Sequence, residues 1–426
     1  MKKVALTLAS VMAAAAFAPE ASAIPSFARQ TGMACSACHQ QHFPVLNGFG
    51  QAFKSAGFTM MGSQEKVEGE HLSIPATLNA SMLLKARYQK SDGNDTAGTV
   101  SGRTTNGGQW QIPDEFSLFF GGRVAEGGAL KVGFMFEGNT ASASGLVAGF
   151  KMPVVIDMDT VKIGVVPYLT DALGAFYGYD LSSTGQTRGV RWAEHRSDIS
   201  AQQYVGMSSG AATGLATYAR TDMGYVAVSR YAPHFTASGT TAVQLSSTVL
   251  RAALTPNVAG WDMQIGVGSV SGSNYDAPAT TANANETKAT SLDFQAFGTV
   301  AERDLAVYAT WASAPASGTA AGSSNLWNAS TTDAKTAMTV GADYSIIPHA
   351  LHLGAAYRNA KTGDATLNED NSITVMAIYD LTQNIALHVN HSVRSGSSYD
   401  AGGANDASVV GSSGKALTTF LLEAAW

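Results

Sequence analysis

The sequence predicts a mainly β protein, a 16-stranded antiparallel β-barrel of the bacterial outer membrane that follows a small N-terminal module with helical character. Three observations support this prediction. Apolar residues alternate with polar or small residues from about Leu72 to the end of the chain. Short turns alternate with long connections rich in Gly, Ser, Thr, Ala and Asn. The predicted number of strands is even, and all three features are typical of outer-membrane barrels.

The alternation gives each predicted strand two different faces. It is clear over 130–137, 351–358 and 385–390, where every second residue is apolar. In a membrane-spanning barrel the apolar face meets lipid and the polar face lines the lumen. A soluble β-sandwich would bury the apolar face and is built from fewer strands, so the pattern favours the barrel.

Seven hairpins account for most of the predicted strands. They lie at 114–138, 148–167, 212–231, 244–271, 288–313, 335–360 and 371–394. An opening strand near 74–89 and a closing strand near 415–426 bring the number to 16. The second hairpin is the least regular, because Pro153 and Pro167 interrupt it.

Aromatic residues near strand ends can form girdles at the two membrane interfaces. Tyr168, Tyr308, Trp311 and Tyr344 occupy such positions in the predicted strands. The closing strand ends on Trp426, and this resembles the terminal strand by which outer-membrane barrels are recognised for assembly.

The beginning of the chain has the pattern of a secretory signal peptide over residues 1–23. Lys2 and Lys3 form a basic region, an apolar stretch rich in alanine follows, and 21–23 matches the A-x-A cleavage pattern. We therefore expect export and a mature chain that begins near Ile24. No later apolar run is long enough for a membrane helix, so the prediction is a module at 24–71 followed by a barrel at 72–426.

The composition limits the classes of partner that the protein can have. Charged residues make up 14% of the chain, against about a quarter in typical soluble proteins. The formal net charge is −6 at pH 7, which argues against a nucleic-acid partner and suits the attraction of cations.

Both cysteines of the chain fall in the stretch Cys35-Ser36-Ala37-Cys38-His39. The pattern C-x-x-C-H is the attachment motif of a covalent c-type haem. Two such thiols can each bond one vinyl group of the haem, and His39 is then the expected proximal ligand of the iron. A redox-active dithiol would normally begin a helix in a βαβ unit, which is missing here. A zinc site would need two further ligands at matching spacing.

The module around this motif is too short to be stable by its own core, so we expect covalent haem and contact with the barrel to stabilise it. Leu46, Phe49 and Phe53 have helical spacing, and such a stripe packs equally well on haem or on protein. Met60 or Met61 can provide the distal iron ligand, which would raise the reduction potential. His71 would give a bis-histidine iron instead, whereas His42 lies one helical turn from His39 and faces the same side.

The N-terminal region resembles the fused monohaem cytochrome c–porin family of outer-membrane iron oxidases. The residues that carry the resemblance are 27–32, Cys35 to His39, 43–50, Phe53, Lys54 and Gly57. The resemblance implies a 16-stranded barrel, one covalent haem c held by Cys35, Cys38 and His39, and electron transfer from extracellular ferrous iron to periplasmic carriers such as a soluble cytochrome c. The chain would then be an electron-transfer oxidoreductase. One departure is the spacing between His39 and Phe43, which is one residue longer than is usual in the family.

The physical reason for joining a haem module to a barrel is that a bilayer insulates. The apolar band around such barrels is about 25 Å tall, and a 16-stranded barrel holds an aqueous channel. We predict that the haem module caps or occupies the lumen from the periplasmic side and relays electrons. The alternatives are a diffusion porin with a tethered haem module, a haem peroxidase-like enzyme, and outward electron transfer to extracellular acceptors. Of the remaining histidines, His352 and His388 are predicted to face the lumen as solvated wall residues.

Overall fold

The structure is a computed structural model. It describes residues 25–40, 45–62, 64–70, 72–93, 107–139, 146–180, 200–235, 243–274, 285–382, 384–403 and 414–426. The predicted signal peptide at 1–23 lies outside the described residues, as do His42 and His71.

The N-terminal segment, by which we mean the described residues from 25 to 62, contains two short helices and a tight turn. These are α1 (Pro25–Thr31), a 3₁₀ turn (Cys35–Ala37) and α2 (Gly48–Ser55). A two-stranded hairpin follows, in which β1 (Lys66–Gly69) pairs with β2 (Leu72–Pro75). The apolar alternation that begins at Leu72 therefore belongs to this local hairpin, and the barrel starts later than predicted.

Within the described residues, sixteen antiparallel strands form a closed barrel, because each strand pairs with the next and the last pairs with the first. In chain order the strands are β3 (Ala80–Ser91), β4 (Gln109–Gly127), β5 (Leu130–Asn139), β6 (Val147–Lys151), β7 (Val154–Asp157), β8 (Lys162–Thr170), β9 (Ala212–Thr221), β10 (Gly224–Ala232), β11 (Ser247–Leu254), β12 (Asn257–Val258), β13 (Trp261–Asn274), β14 (Asn285–Glu286), β15 (Ala289–Val300), β16 (Arg303–Ala314), β17 (Ser324–Asn325), β18 (Lys335–Ile347), β19 (Leu351–Lys361), β20 (Asn371–Thr382), β21 (Ile385–Ser395) and β22 (Ala416–Ala425). Of these, β6 and β7 are two halves of one barrel strand, and the two-residue strands β12, β14 and β17 are additions to the sixteen.

The strand number and the seven predicted hairpins are confirmed. In the least regular hairpin, only one of the two prolines interrupts a strand. Pro153 separates β6 from β7, because a proline has no N–H for the ladder. Pro167 stays inside β8, where its carbonyl accepts a hydrogen bond of 3.1 Å from the N–H of Met152.

The two faces of the barrel strands differ as predicted. In β20, Ile373 and Val375 are more than half exposed on the outer face, whereas Thr374 and Met376 are buried on the inner face. Long apolar side chains that point outward from a closed barrel meet lipid. Among the described residues, none of the helices is both long and apolar enough to cross a bilayer.

The predicted aromatic girdle is wrong for two of its four residues. Tyr168 and Tyr308 are buried in the lumen, because the register of β8 and β16 places them on the inner face. Trp311 points outward and is 39% exposed, and the hydroxyl of Tyr344 donates to the carbonyl of Val300 at the short-turn rim.

Two parts of the chain pack inside the barrel. The N-terminal segment lies at the rim with the short turns, where Val45 shares an apolar cluster with Phe297, Met376 and Ile378 of the inner wall. A second part, the lumen segment, comprises the described residues 171–180 and 200–211 between β8 and β9 and includes helix α3 (Ala201–Val205). It packs against inner-wall residues of the opposite strands.

Candidate haem-attachment site

The C-x-x-C-H motif forms one tight turn. The carbonyl of Cys35 accepts hydrogen bonds from the N–H of Cys38 (3.0 Å) and of His39 (2.9 Å). Cys35 is buried, Cys38 is half-buried, and no disulfide joins them. Burial raises the pKa of the Cys38 thiol. The turn therefore presents two thiols and an imidazole from five consecutive residues, which is the donor set that covalent haem requires.

The ring of His39 is held from the side opposite to a ligating nitrogen. Its Nδ1 lies 3.3 Å from the carbonyl oxygen of Val45, and the N–H of Gln40 donates to the same oxygen at 2.9 Å. Histidines that bind metals commonly donate their second ring N–H to a backbone carbonyl in this way. With the proton on Nδ1, the lone pair is on Nε2, which fits the proximal role predicted for His39.

Asn47 connects the motif to helix α2. Its side-chain oxygen accepts a hydrogen bond of 2.9 Å from the N–H of Gly50 and so caps the helix. Its amide nitrogen donates to the carbonyl of Ala37 at 3.1 Å. Helix and motif approach so closely that a Cβ atom on Gly50 would collide with the carbonyl of Cys38.

The predicted apolar stripe on this helix is correct in part. Leu46 and Phe53 are buried, but Phe49 is 42% exposed. The ring of Phe53 packs against Phe27 of α1 and against Phe58, with ring centroids 5.3 and 5.9 Å apart. In the described part of the chain, the buried face of α2 thus meets protein side chains.

Helix α2 is attached to the barrel at both ends. At its start, the N–H of Gly48 donates to the carboxylate of Asp262 in β13 at 2.9 Å. At its end, the carbonyl of Ser55 accepts from the hydroxyl of Tyr218 in β9 at 2.6 Å. The hydroxyl of Ser55 lies 3.0 Å from that of Tyr179 in the lumen segment. These contacts seat the helix between the wall and the lumen segment.

Lys54 is the one charged side chain of α2, and it points into this packed interior. Its Nζ lies 4.7 Å from the centre of the Tyr179 ring, a distance suited to a cation–π contact. Burial lowers the pKa of Lys54 to about 8, while the nearby carboxylate of Asp180 opposes the shift. The charge of this amine is therefore sensitive to pH near 8.

The end of the N-terminal segment is held by Gln30 of α1, which is fully buried. Its amide nitrogen donates to the carbonyls of Phe58 (2.7 Å) and Met60 (2.8 Å). Its amide oxygen accepts from the backbone N–H of Arg123 in β4 at 3.0 Å. Met60 and Met61 follow on this stretch with half-buried side chains, so their predicted role as distal ligands stays a prediction.

The lumen segment is fastened to the wall by a buried ion network. The carboxylate of Asp180 accepts from Arg251 Nε at 3.0 Å and from the hydroxyl of Tyr225 at 2.9 Å. Arg251 also pairs with Asp293 through both of its terminal nitrogens. Sequence reasoning missed this network, because its hydrogen-bonded partners lie between 42 and 71 residues apart along the chain.

The location of the protein follows from the barrel itself. An even number of antiparallel strands closes on itself, one rim carries short turns, the outer face is apolar and the inner face is largely polar. The chain is a bacterial outer-membrane β-barrel.

Several solved outer-membrane channels are similar to it. A mutant of the Rh. blastica porin has 10% sequence identity and a TM-score of 0.49 and covers 82% of this chain and 100% of its own. The anion-selective porin of Comamonas acidovorans has 13% identity and a TM-score of 0.49, covering 82% and 99%. OmpT of Vibrio cholerae has 11% identity and a TM-score of 0.48, covering 85% and 100%. No protein-family model and no curated protein matches the chain.

Proposed function

We propose that the protein is an outer-membrane electron conduit in which one covalent haem c relays electrons between an extracellular donor and periplasmic carriers. Cys35 and Cys38 hold the haem by thioether bonds, and His39 is the proximal ligand, oriented by the carbonyl of Val45. The haem supplies reversible one-electron chemistry when it is bound. Ferrous iron is the proposed donor, and a soluble cytochrome c is the proposed periplasmic acceptor.

The observation that carries the proposal is the position of the C-x-x-C-H turn. The turn belongs to a segment that packs inside the barrel at the rim with the short turns, and short turns face the periplasm in outer-membrane barrels. A redox group there is accessible to periplasmic carriers. It also lies at the periplasmic end of the barrel lumen, through which electrons would cross the insulating bilayer.

The contacts of α2 give the chain's own residues a second role, which is to keep the haem turn in the lumen. Asp262 holds the start of the helix and Tyr218 holds its end. Asn47 links the helix to the motif, because its amide nitrogen donates a hydrogen bond to the carbonyl of Ala37. A haem on this turn would thus be fixed relative to the barrel instead of being tethered loosely beside it.

The test of haem attachment is mass spectrometry of the denatured protein, purified from a host that matures c-type cytochromes. We expect a haem adduct that survives denaturation and is lost in the double variant Cys35→Ala/Cys38→Ala. A wild-type polypeptide without haem, from cells that load another c-type cytochrome, would overturn the proposal. Anaerobic stopped-flow mixing with ferrous iron then tests the donor, because haem reduction on a physiological timescale is expected.

A second candidate, a diffusion porin with a tethered haem module, is favoured by the closed barrel and its polar inner face. Planar-bilayer recording separates the two functions. A conduit whose lumen holds two packed segments conducts poorly, whereas a diffusion porin shows a large and steady open conductance. A peroxidase-like enzyme would instead need an open coordination position on the iron, and addition of peroxide to the oxidised protein tests for it.

A further inference from the structure

A cavity of about 200 Å³ lies at the short-turn rim, between helix α2 and the inner wall of the barrel. Its helix side includes Leu46, Gln51 and Ala52, and its wall side includes Arg220 of β9 and Phe297 of β15. The volume is below the roughly 300–1,000 Å³ that is usual for pockets of drug-sized ligands, so a ligand of this cavity must be small. Because α2 forms one side, the cavity is complete only while the N-terminal segment is docked.

Two cationic side chains line the cavity from neighbouring strands. Lys162 of β8 and Arg220 of β9 are directly opposite each other in the strand ladder, and both line the cavity. Side chains in such a pair have Cβ atoms about 4.5–5.5 Å apart, and two like charges in this arrangement destabilise a sheet. The pair is therefore unfavourable unless negative charge lies close to it.

The two cations differ in the partners that they have. Nζ of Lys162 lies 3.3 Å from a carboxylate oxygen of Asp157, which also pairs with Lys131. Arg220 donates to the side-chain oxygen of Gln51 at 3.3 Å, but it forms no ion pair with any residue that the structure describes. Arg220 is only 8% exposed. A charge that is largely removed from water and has no counter-charge is costly.

The neighbourhood of Arg220 has an excess of positive charge. Burial is the main reason why the pKa of Lys54 is low, and the charges of Arg220 and Arg251 lower it further, against the opposing effect of Asp180. Arg251 is paired with Asp180 and Asp293 at once. Within the described ranges of the chain, Lys54 and Arg220 have no carboxylate at ion-pair distance. An anion in the cavity would supply the missing negative charge.

The acidic residues of the cavity lining limit which anion fits. Asp262 accepts hydrogen bonds from the N–H of Gly48 (2.9 Å) and from the side-chain amide of Asn257 (2.7 Å). Asp222 lies exposed in a short turn at the mouth of the cavity. Negative charge at the mouth repels a dianion such as sulfate more strongly than a monoanion. The lining therefore favours an anion with a single charge.

We propose that this cavity is a binding site for a small organic monocarboxylate, whose carboxylate pairs with Arg220 and Lys162. A guanidinium can hold a carboxylate by two parallel hydrogen bonds. The apolar body of the ligand packs against Leu46 and Phe297, which line the cavity. Because the ligand touches both α2 and the wall, it stabilises the docked N-terminal segment by mass action. The inference goes beyond the proposed electron conduit and does not depend on the haem.

The test is isothermal titration calorimetry of the full-length haem-loaded protein in detergent, with benzoate as the probe and benzamide as its neutral isostere. We expect wild type to bind benzoate, and to bind benzamide and sulfate more weakly. Arg220→Gln should bind benzoate about tenfold or more weakly, whereas Arg220→Lys, which keeps the charge, should retain part of the affinity. Arg230→Gln is the matched control, because Arg230 is exposed on β10 and donates to the carbonyl of Leu245, outside the cavity.

A second readout is amide hydrogen exchange of the α2 peptide. Saturating benzoate should increase the protection of α2 in wild type and in Arg230→Gln, but not in Arg220→Gln. Heat-dependent migration on gels checks that each variant retains the folded barrel.

Three results would overturn the inference. The first is no benzoate binding to wild type, and the second is equal affinity in wild type and in folded Arg220→Gln. The third is benzoate binding that appears only in the haem-free variant Cys35→Ala/Cys38→Ala, because the carboxylates of the haem itself would then occupy the cavity. Absence of haem from wild type would refute the proposed function, whereas the benzoate titration would still decide this inference.

Discussion

Lys54 offers a direct test of how the N-terminal segment is seated in the barrel. Burial lowers the pKa of its amine from 10.5 to about 8. The docked segment therefore binds this proton less tightly than a released segment does, and protonation opposes docking. The cost is fully present below pH 8 and decreases as the pH rises toward 10.5, above which both states have lost the proton.

The size of the effect follows from the two pKa values. A difference of about 2.5 units corresponds to about 3 kcal/mol at most. Between pH 7 and pH 9, linkage increases the equilibrium constant for docking about tenfold, which is about 1 kcal/mol. Lys54→Met removes the titrating group while keeping a long side chain. We expect this variant to dock more tightly than wild type at pH 7 and to lose the pH dependence.

The measurement is amide hydrogen exchange of the α2 peptide in the lipid-embedded protein, corrected for the intrinsic exchange rate at each pH. Protection of α2 should increase about tenfold from pH 7 to pH 9 in wild type. Lys66→Met is the matched control, because Lys66 lies in the exposed hairpin strand β1. Equal protection at both pH values in wild type, or a slope that persists in Lys54→Met, would refute the burial of this amine between wall and lumen segment.

Two further predictions concern the haem turn and the lipid face. Gly50→Ala places a methyl group against the carbonyl of Cys38, so the yield of covalent haem should fall severalfold, measured by mass spectrometry. Gly127→Ala meets open space and should leave that yield unchanged. Val375→Arg, in the middle of a lipid-facing row, should destabilise the barrel in vesicles by about 2–4 kcal/mol in urea unfolding, against about 0–1 kcal/mol for Val300→Arg at the rim. Equal costs would contradict the assigned depth of β20.

The sequence was most informative where a pattern is local. The alternation around Leu353 and Tyr357 predicts which face of β19 is apolar, since side chains in a strand point to opposite faces in turn. The C-x-x-C-H motif needs only five consecutive residues, so the motif was also recognisable in the sequence. Sequence reasoning was weaker where a local pattern is ambiguous. Leu72 and Ile74 alternate as barrel residues do but belong to a separate hairpin.

Contacts between distant residues were beyond the reach of sequence patterns. Tyrosine is a residue type that is common in aromatic girdles, so Tyr168 was predicted to lie in one. A shift of one residue in strand register decides whether it points to lipid or into the lumen. The expectation that His352 is solvated failed for a similar reason, since only 1% of it is exposed. Lumen exposure depends on what fills the lumen, and Val45 of the N-terminal segment that packs there is more than 300 residues away in the chain.

By itself, the sequence determined the sixteen-strand membrane barrel and the presence of a haem-type motif. Both depend on the spacing of residues that are close together in the chain, namely the alternation of apolar residues and the C-x-x-C-H pattern. Only the tertiary structure decided that the motif lies inside the short-turn end of the barrel, with α2 held between Asp262 and Tyr218. It alone also brought Lys162 and Arg220 together at the cavity beside that helix. The physical reason is that closure of the barrel converts separations of hundreds of residues into distances of a few ångströms.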